Sequence, residues 1–152
     1  MIKENHRHHK FISSQQLNLF LNLSNEIMKE IEQGTVLELS ETTTDQMSAA
    51  SIGSGALDVF STPSMIALME KTSMLCVATF LSDSETTVGG AVDIRHYRPT
   101  RIGNEVLCKT IIKSIKDRKV DFKVEVFENE KLIGDGIHTR FVVDKESFMK
   151  NV

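Results

Sequence analysis

One long segment of this chain is apolar on nearly every side of the helix that it predicts. Thr62 and Pro63 form a favourable helix start, because a hydroxyl can accept an amide hydrogen bond there and proline needs no donor at the first position. Apolar side chains then cover most directions of residues 64–81. A helix of this kind has to be buried on almost all sides. This segment therefore limits the possible folds more than any other.

The rest of the chain is dominated by strand patterns. A threonine-rich, β-branched segment at 35–44 predicts one strand before the helix, and four more strands are predicted after Asp83. Tight turns at 117–118 and 129–130 predict that the last three strands form an antiparallel meander. Because one helix can cover such a sheet only if the sheet curls around it, we predict an α+β fold with a five-stranded antiparallel sheet wrapped around a central helix.

The chain is expected to divide at Gly34. Apolar residues recur at three- and four-residue steps over 13–33, which predicts an amphipathic helix, or a broken pair of them, that ends at this glycine and packs on protein. Residues 1–34 are thus predicted to be a tail with an extra N-terminal helix, and residues 35–152 the folded domain. The small residues of 48–58 predict a mobile loop.

Composition excludes several classes of function. A formal net charge of −3 disfavours a nucleic-acid partner, and no apolar run approaches the roughly 20 residues that cross a membrane. Cys76 and Cys108 lack a paired spacing and a secretory pattern before them, which favours the reducing cytoplasm. His6, His8 and His9 lie in a polar terminal segment, where we expect a frayed tail, and no metal site is predicted.

Glu70 is an acid placed where the helix pattern calls for apolar side chains. At about 100° per residue it falls between Val77 and Leu81 around the helix. Burial there is costly unless the carboxylate is paired or hydrogen-bonded, so Glu70 is a candidate acid, base or nucleophile. The alternative is that Glu70 and its neighbour Lys71 simply point to water.

His96 ends a predicted inward-facing row of strand residues. Alternation places Val88, Gly90, Val92, Ile94 and His96 on one face. A histidine at the rim of an apolar face titrates near neutrality and can bind or polarise a substrate. The alternative is a core histidine bonded to a nearby carbonyl.

Gly89 and Gly90 interrupt the same strand. Adjacent glycines predict a bulge or the close approach of a ligand, and amides freed there can hold a carbonyl oxygen. The alternative is a simple bend.

Thr62 stands at the helix N-terminus, where free amides favour a developing anion. The alternative is that its hydroxyl serves only as a cap. Eight helical residues rise about 12 Å, so Thr62 and Glu70 of one chain cannot touch the same small group. If both act on one substrate, a second subunit supplies one of them. This reasoning predicts a homodimer with its site at the interface.

Three segments together resemble the fluoroacetyl-CoA thioesterase branch of the hot-dog-fold thioesterases: STPSMIALMEKTS, TTVGGAVDIRHYRPTRIG and LIGDGIHTRFVVDKESF. The resemblance covers residues 35–148. It implies a hot-dog fold and a catalytic group made of Thr62, Glu70 and His96. Glu70 would be the nucleophile or the base that activates water, His96 would orient or protonate, and Thr62 would bind or attack the carbonyl.

The implied activity is hydrolysis of a short-chain acyl-CoA by a dimer, with no metal or other cofactor. Amides near Gly89 or Gly90 would steady the oxyanion, Arg98 is a candidate contact for the CoA phosphates, and Phe60 is a candidate contact for the substrate. The fluoroacetyl-selective member of the family has an aromatic lid residue where this chain has Ala56, so the acyl group is left open.

Two alternative functions are weighed against hydrolysis. A hot-dog hydratase would need an Asp, Asn and His arrangement that does not appear around residues 45–65. A non-catalytic acyl-CoA-binding regulator or scaffold would keep the pocket without using Glu70. The presence of Glu70 favours an enzyme over the regulator or scaffold.

Overall fold

The structure, a computed structural model, describes residues 10–12 and 30–152. The described residues form one sheet, one long helix and several short helices. In chain order the elements are β1 (Lys10–Ile12), β2 (Val36–Thr42), a 3-10 helix (Asp45–Met47), α1 (Ala49–Ile52), α2 (Thr62–Ala78), β3 (Glu85–His96), β4 (Glu105–Lys116), β5 (Lys119–Glu128), β6 (Lys131–Asp144) and α3 (Lys145–Lys150).

Five of the strands form an antiparallel sheet in the order β2-β4-β5-β6-β3. The meander of β4, β5 and β6 follows the prediction, and its turns are tight because Asp117, Asn129 and Glu130 adopt left-handed backbone angles with φ of 55°, 46° and 64°. β3 lies at one edge beside β6. The predicted α+β architecture, with a five-stranded antiparallel sheet and a central helix, is confirmed.

The central helix α2 packs against all five antiparallel strands. Met65, Met69 and Val77 are at most 1% exposed, and they face strand residues such as Phe122 and Val124 that are fully buried. Removing these apolar surfaces from water is the main favourable contribution to such a core. Pro63, Ala67 and Met74 remain exposed, so the sheet covers less of the helix than the sequence pattern predicts.

The N-terminal predictions are tested only in part. Most of the helix predicted for residues 13–33 lies outside the described residues, and residues 30–33 are not helical. Residues 10–12, predicted to be tail, instead pair in parallel with Leu37–Leu39 at the outer edge of β2. His6, His8 and His9 also lie outside the described residues.

The segment predicted as a mobile loop contains a short helix, α1. Its N-terminus is capped by Ser48, whose side chain accepts a hydrogen bond from the Ser51 amide at 3.1 Å. It ends at Gly53, which has the left-handed φ of 80° that helix termini favour. A serine cap and a terminal glycine are helix signals that the small-residue composition obscured.

Both cysteines are free and buried. Burial raises the pKa of the Cys76 thiol to about 12 and that of the Cys108 thiol to about 12. Since the thiolate is the reactive form, neither side chain serves as a nucleophile near neutral pH. Among the described helices, none is long and apolar enough to cross a membrane.

Leu39→Ala should destabilise the fold by about 2–5 kcal/mol, because Leu39 is 1% exposed and its truncation leaves a cavity beneath α2. Urea unfolding followed by circular dichroism measures the change in the free energy of unfolding. Lys116→Ala, at an exposed position of β4, is the control and should stay within about 0.5 kcal/mol of the parent protein. Equal effects of the two substitutions would contradict the assignment of Leu39 to the core.

Candidate active site

Thr62 and His96 form a direct side-chain contact at the start of the central helix. The Thr62 hydroxyl oxygen lies 2.8 Å from His96 Nδ1. Thr62 is the first residue of α2 and His96 is the last residue of β3, so the contact joins the helix start to the end of the strand. We call these two residues the Thr62–His96 pair.

The sequence predicted that Thr62 caps the helix, but the cap is Ser61. Ser61 has the extended backbone of a cap residue, with φ of −80° and ψ of 151°, and its hydroxyl accepts a hydrogen bond from the Ser64 amide at 3.1 Å. Thr62 already has helical geometry, so its hydroxyl is not used in capping. That hydroxyl is free to bond His96.

His96 is half-buried and poised to accept a proton. Burial lowers the pKa of its imidazole, and the nearby Arg98 backbone acts in the opposite direction as the weaker effect. Nε2 is buried without a hydrogen-bond partner among the described residues. A neutral ring that bonds Thr62 at one nitrogen leaves the other available to a substrate or a water molecule.

Glu70 lies against β3 where Gly89 leaves room for it. A Cβ atom added at Gly89 would stand 2.8 Å from Glu70 Oε2, so any larger residue would push the carboxylate away. The Glu70 side chain is 40% exposed in the single chain. It is neither buried among apolar residues nor free in solvent, because Arg140 Nη1 approaches its Oε2 at 3.3 Å.

Arg140 is a site-adjacent residue that the sequence reasoning missed. Its side chain is only 6% exposed and is held by Thr87, whose hydroxyl accepts from Nε and whose carbonyl accepts from Nη2, both at 2.8 Å. Nη1 donates to Glu70 and also lies 3.1 Å from His138 Nε2. We call Glu70, Gly89, His138 and Arg140 the Glu70–Arg140 cluster.

Burial lowers the pKa of Arg140, and the Glu70 carboxylate opposes this shift. A guanidinium stays charged under these conditions, so the cluster pairs one buried cation with one partly exposed anion. A sequence signal for the cluster existed: two polar residues, His138 and Arg140, sit two positions apart in an apolar strand.

The predicted bulge in β3 is present. The register of β3 against β6 shifts between Gly89 and Ala91, which leaves Gly90 as the extra residue. The shift reverses the alternation of side chains along β3. Val88, which pairs with Phe141, therefore lies on the face away from the helix. The prediction that Val88 shares a face with His96 was wrong. Gly90 packs beneath the Phe141 ring, where a Cβ atom would collide with it.

Two predicted substrate contacts lie apart from these groups. Phe60 is 2% exposed and lines a cavity of about 140 Å³ with Met47 and Leu68, on a different flank of α2 from Glu70. Arg98 lines an open groove of about 340 Å³ that also includes Lys131. Within the described part of the chain, no three metal-ligand side chains come together.

The candidate residues therefore form two separate groups in one chain. Thr62 and Glu70 are eight residues apart on α2, a rise of about 12 Å. Gly89 and His96 are separated by seven residues of β3, roughly 20 Å of strand. A single small substrate cannot touch both groups of the same chain.

The outer edge of β3 lies between the two groups. β3 is the last strand of the sheet, and residues 89–93 are exposed. One edge of β3 pairs with β6, and the other edge has no strand partner in the part of the chain that the structure describes. An unpaired edge of this kind is a surface on which another strand can add.

An antiparallel sheet that wraps around one central helix is the hot-dog fold. Solved structures support this assignment over most of the chain. A hot-dog-like protein from Thermanaerovibrio acidaminovorans aligns with a TM-score of 0.73 at 14% identity, covering 80% of this chain and 90% of that one. A thioesterase superfamily member from Thermus thermophilus aligns with a TM-score of 0.75 at 22% identity, covering 82% and 92%.

The sequence model of the fluoroacetyl-CoA-specific thioesterases matches residues 43–146. The fluoroacetyl-CoA thioesterase of Streptantibioticus cattleyicolor is 30% identical over 95 residues, which are 62% of this chain and 68% of that protein. A mutant fluoroacetyl-CoA-specific thioesterase, solved with fluoroacetate and CoA, aligns with a TM-score of 0.73 at 24% identity, covering 77% of this chain and 98% of that one. The chain belongs to the fluoroacetyl-CoA-specific thioesterase family.

Ser61→Ala should lower the free energy of unfolding by about 1 kcal/mol, because it removes the helix cap. Thr62→Val should change it by less than about 0.5 kcal/mol, because the Thr62 hydroxyl is exposed and does not cap the helix. Urea unfolding of the two variants in parallel measures the difference. A larger loss for Thr62→Val would return the capping role to Thr62.

Proposed function

We propose that this protein hydrolyses short-chain acyl-CoA thioesters at a site made of Thr62, Glu70 and His96. Membership of the family makes the chain a thioester hydrolase. The observation that supports the choice of residues is the pairing of the Thr62 hydroxyl with His96 at 2.8 Å, on the same helix and strand that hold Glu70 against Gly89. We further propose that residues 35–152 make up the catalytic domain.

The reaction has two routes on this site. In one, Glu70 takes a proton from water, the water oxygen adds to the thioester carbonyl, and the C–S bond breaks. In the other, the Glu70 carboxylate attacks the carbonyl, CoA leaves, and water cleaves the resulting anhydride. In both routes the proton that the water gives up reaches the CoA sulfur through neutral His96: Glu70 hands it on in the first route, and the water that cleaves the anhydride supplies it in the second. Thr62 binds the carbonyl oxygen, and amides near Gly89 or Gly90 stabilise the oxyanion. Neither route requires a metal or another cofactor.

We propose that the complete site forms between two copies of the chain. The separation of the Thr62–His96 pair from the Glu70–Arg140 cluster supports this arrangement, as does the open edge of β3. If two β3 edges pair antiparallel about a twofold axis at Asp93, His96 lies across from the partner's Gly90, next to Gly89 in the bulge. Each dimer then has two sites. Each site is made of the Thr62–His96 pair of one copy and the Glu70–Arg140 cluster of the other. Assembly beyond a dimer is left open.

The substrate contacts proposed outside the catalytic group concern the acyl group and the CoA. Phe60 is proposed as a substrate contact because it lies two residues before Thr62, beside the start of α2. Ala56, at the position of the family's aromatic lid, is exposed and carries no aromatic ring. Arg98, with Lys131 in the same groove, would meet CoA phosphates with charged hydrogen bonds.

The buried free thiols support a cytoplasmic location.

Glu70→Gln should lower the rate of thioester hydrolysis at least about a hundredfold, because the amide can neither take a proton nor attack the carbonyl. Release of free CoA from short-chain acyl-CoA, followed with a thiol reagent, measures the rate. Glu146→Gln is the matched control: Glu146 is a helical glutamate that pairs with Lys150 at 2.7 Å on α3 and has no assigned role in the reaction. His96→Ala should also lose activity. Unchanged turnover in Glu70→Gln would remove Glu70 from the mechanism.

A panel of short acyl-CoA thioesters distinguishes the enzyme from a non-catalytic acyl-CoA-binding regulator. The enzyme should release thiol from at least one member of the panel, and the Glu70→Gln protein should bind that member without turning it over. Calorimetry measures the binding and the thiol reagent measures the turnover. Clear binding of several thioesters with no turnover of any would favour the regulator.

A further inference from the structure

His138 is a buried histidine whose two ring nitrogens are both engaged. It is 1% exposed, its Nδ1 lies 2.9 Å from the Ala91 carbonyl oxygen, and its Nε2 lies 3.1 Å from Arg140 Nη1. A carbonyl can only accept a hydrogen bond and a guanidinium can only donate one. The ring must therefore carry its proton on Nδ1 and accept at Nε2. These partners define a neutral imidazole in one tautomer.

We propose that neutral His138 is a positioning residue of the active site, which fixes Arg140 and the β3 bulge so that the Glu70 carboxylate is held for the reaction. The proposal rests on the proposed function of Glu70. In this role His138 bonds neither Glu70 nor a reacting atom. It acts through Arg140 on one side and through the Ala91 carbonyl on the other.

The first connection passes through Arg140. Thr87 accepts hydrogen bonds from Nε and Nη2, which anchors one side of the guanidinium to β3. Nη1 has two hydrogens, and His138 accepts from the same nitrogen that contacts Glu70 at 3.3 Å. Without an acceptor at position 138, a buried N–H of Arg140 is left without its partner or turns to find another. Either outcome changes the position of the charge that holds Glu70.

The second connection passes through the bulge. The register shift between Gly89 and Ala91 displaces the backbone from regular pairing, and the His138 Nδ1–H group bonds the Ala91 carbonyl at that point. Gly89, on the other side of the bulge, provides the space in which Glu70 Oε2 lies. One imidazole thus supports both the cation beside Glu70 and the backbone beneath it.

The surroundings of His138 explain why it is neutral. The charged groups that face it are Arg140 on its own strand and Glu70 on α2. From β5 the Phe122 ring stacks on the imidazole, with the ring centroids 6.3 Å apart, and from β3 the Ala91 carbonyl faces Nδ1. Burial lowers the pKa of His138 and Arg140 acts in the same direction, whereas the Ala91 carbonyl and Glu70 oppose the shift. Protonation would place a second N–H and a second positive charge against Arg140. Acid should therefore disturb Glu70 as the pH falls below the ordinary histidine range.

Three substitutions separate the two connections. His138→Gln can place an amide oxygen near the Nε2 position and keep an acceptor for Arg140. His138→Asn can place an amide donor near the Nδ1 position and keep the bond to Ala91. His138→Leu removes both. The proposal expects His138→Leu to lose roughly tenfold or more in kcat with little change in KM, because a misplaced group costs turnover rather than binding.

His138→Gln should recover most of the lost kcat, and it should no longer show the acid limb of the pH–kcat profile that His138 contributes. His138→Asn should recover less, since Arg140 still lacks its acceptor. If His138 had only a structural role, its replacement would leave the acid limb of the pH–kcat profile unchanged. Wild-type kcat and an unchanged acid limb in all three variants would overturn the proposal, while Glu70→Gln measured alongside shows whether the proposed function itself stands.

Nuclear magnetic resonance of ¹⁵N-histidine-labelled wild-type protein tests the proposal without activity. His138 should show a protonated Nδ1 and an unprotonated Nε2 at neutral pH and should titrate below the ordinary histidine pKa. The opposite tautomer, or a doubly protonated ring at neutral pH, would overturn the proposal even if no thioester were hydrolysed. This measurement also decides the matter if His138→Leu fails to fold.

Discussion

The close approach of helix α2 to the inner face of β3 is the constraint on which the rest of the site depends. Glu70 can lie against this strand only because Gly89 has no side chain, and the strand presents Gly89 there only because of the bulge that follows it. Arg140, on the neighbouring strand, offsets the cost of holding a carboxylate in this partly dry position. The glycine, the bulge and the arginine are therefore parts of one arrangement.

The same helix and strand also separate the candidate residues. α2 begins with Thr62 beside His96 and passes Glu70 two turns later, while β3 passes Gly89 first and reaches His96 at its end. A rigid helix and a rigid strand keep these two groups apart. The open edge of β3 is the surface through which a second copy would bring the missing group in the proposed dimer.

Much of the fold was predictable, because the periodic signals were long and agreed with one another. The apolar helix, the β-branched strand before it and the turns at 117–118 and 129–130 all appear where the sequence indicated. Local choices between neighbours were harder. Ser61 rather than Thr62 caps α2, since both are hydroxyl residues beside a proline and only the backbone angles distinguish them.

The partners of Glu70 were not predictable from spacing. Arg140 lies 70 positions away along the chain, and its approach depends on the pairing of β6 with β3 and on a bulge that reverses the alternation of the strand. The reversed alternation is also why Val88 faces away from His96. Thr62, Glu70 and His96 were singled out from the sequence as catalytic candidates; that assignment remains a proposal, and the structure adds the contact between two of them and the separation of the third.

Complementation between two inactive variants tests the central claim most directly. Glu70→Gln and His96→Ala protomers, refolded together, should form mixed dimers that each contain one complete site, so that random pairing restores about a quarter of wild-type hydrolysis. Thr62→Val mixed with His96→Ala should restore none, because both changes fall in the Thr62–His96 pair. No recovery in the first mixture, with mixed dimers present, would contradict a site shared between two copies.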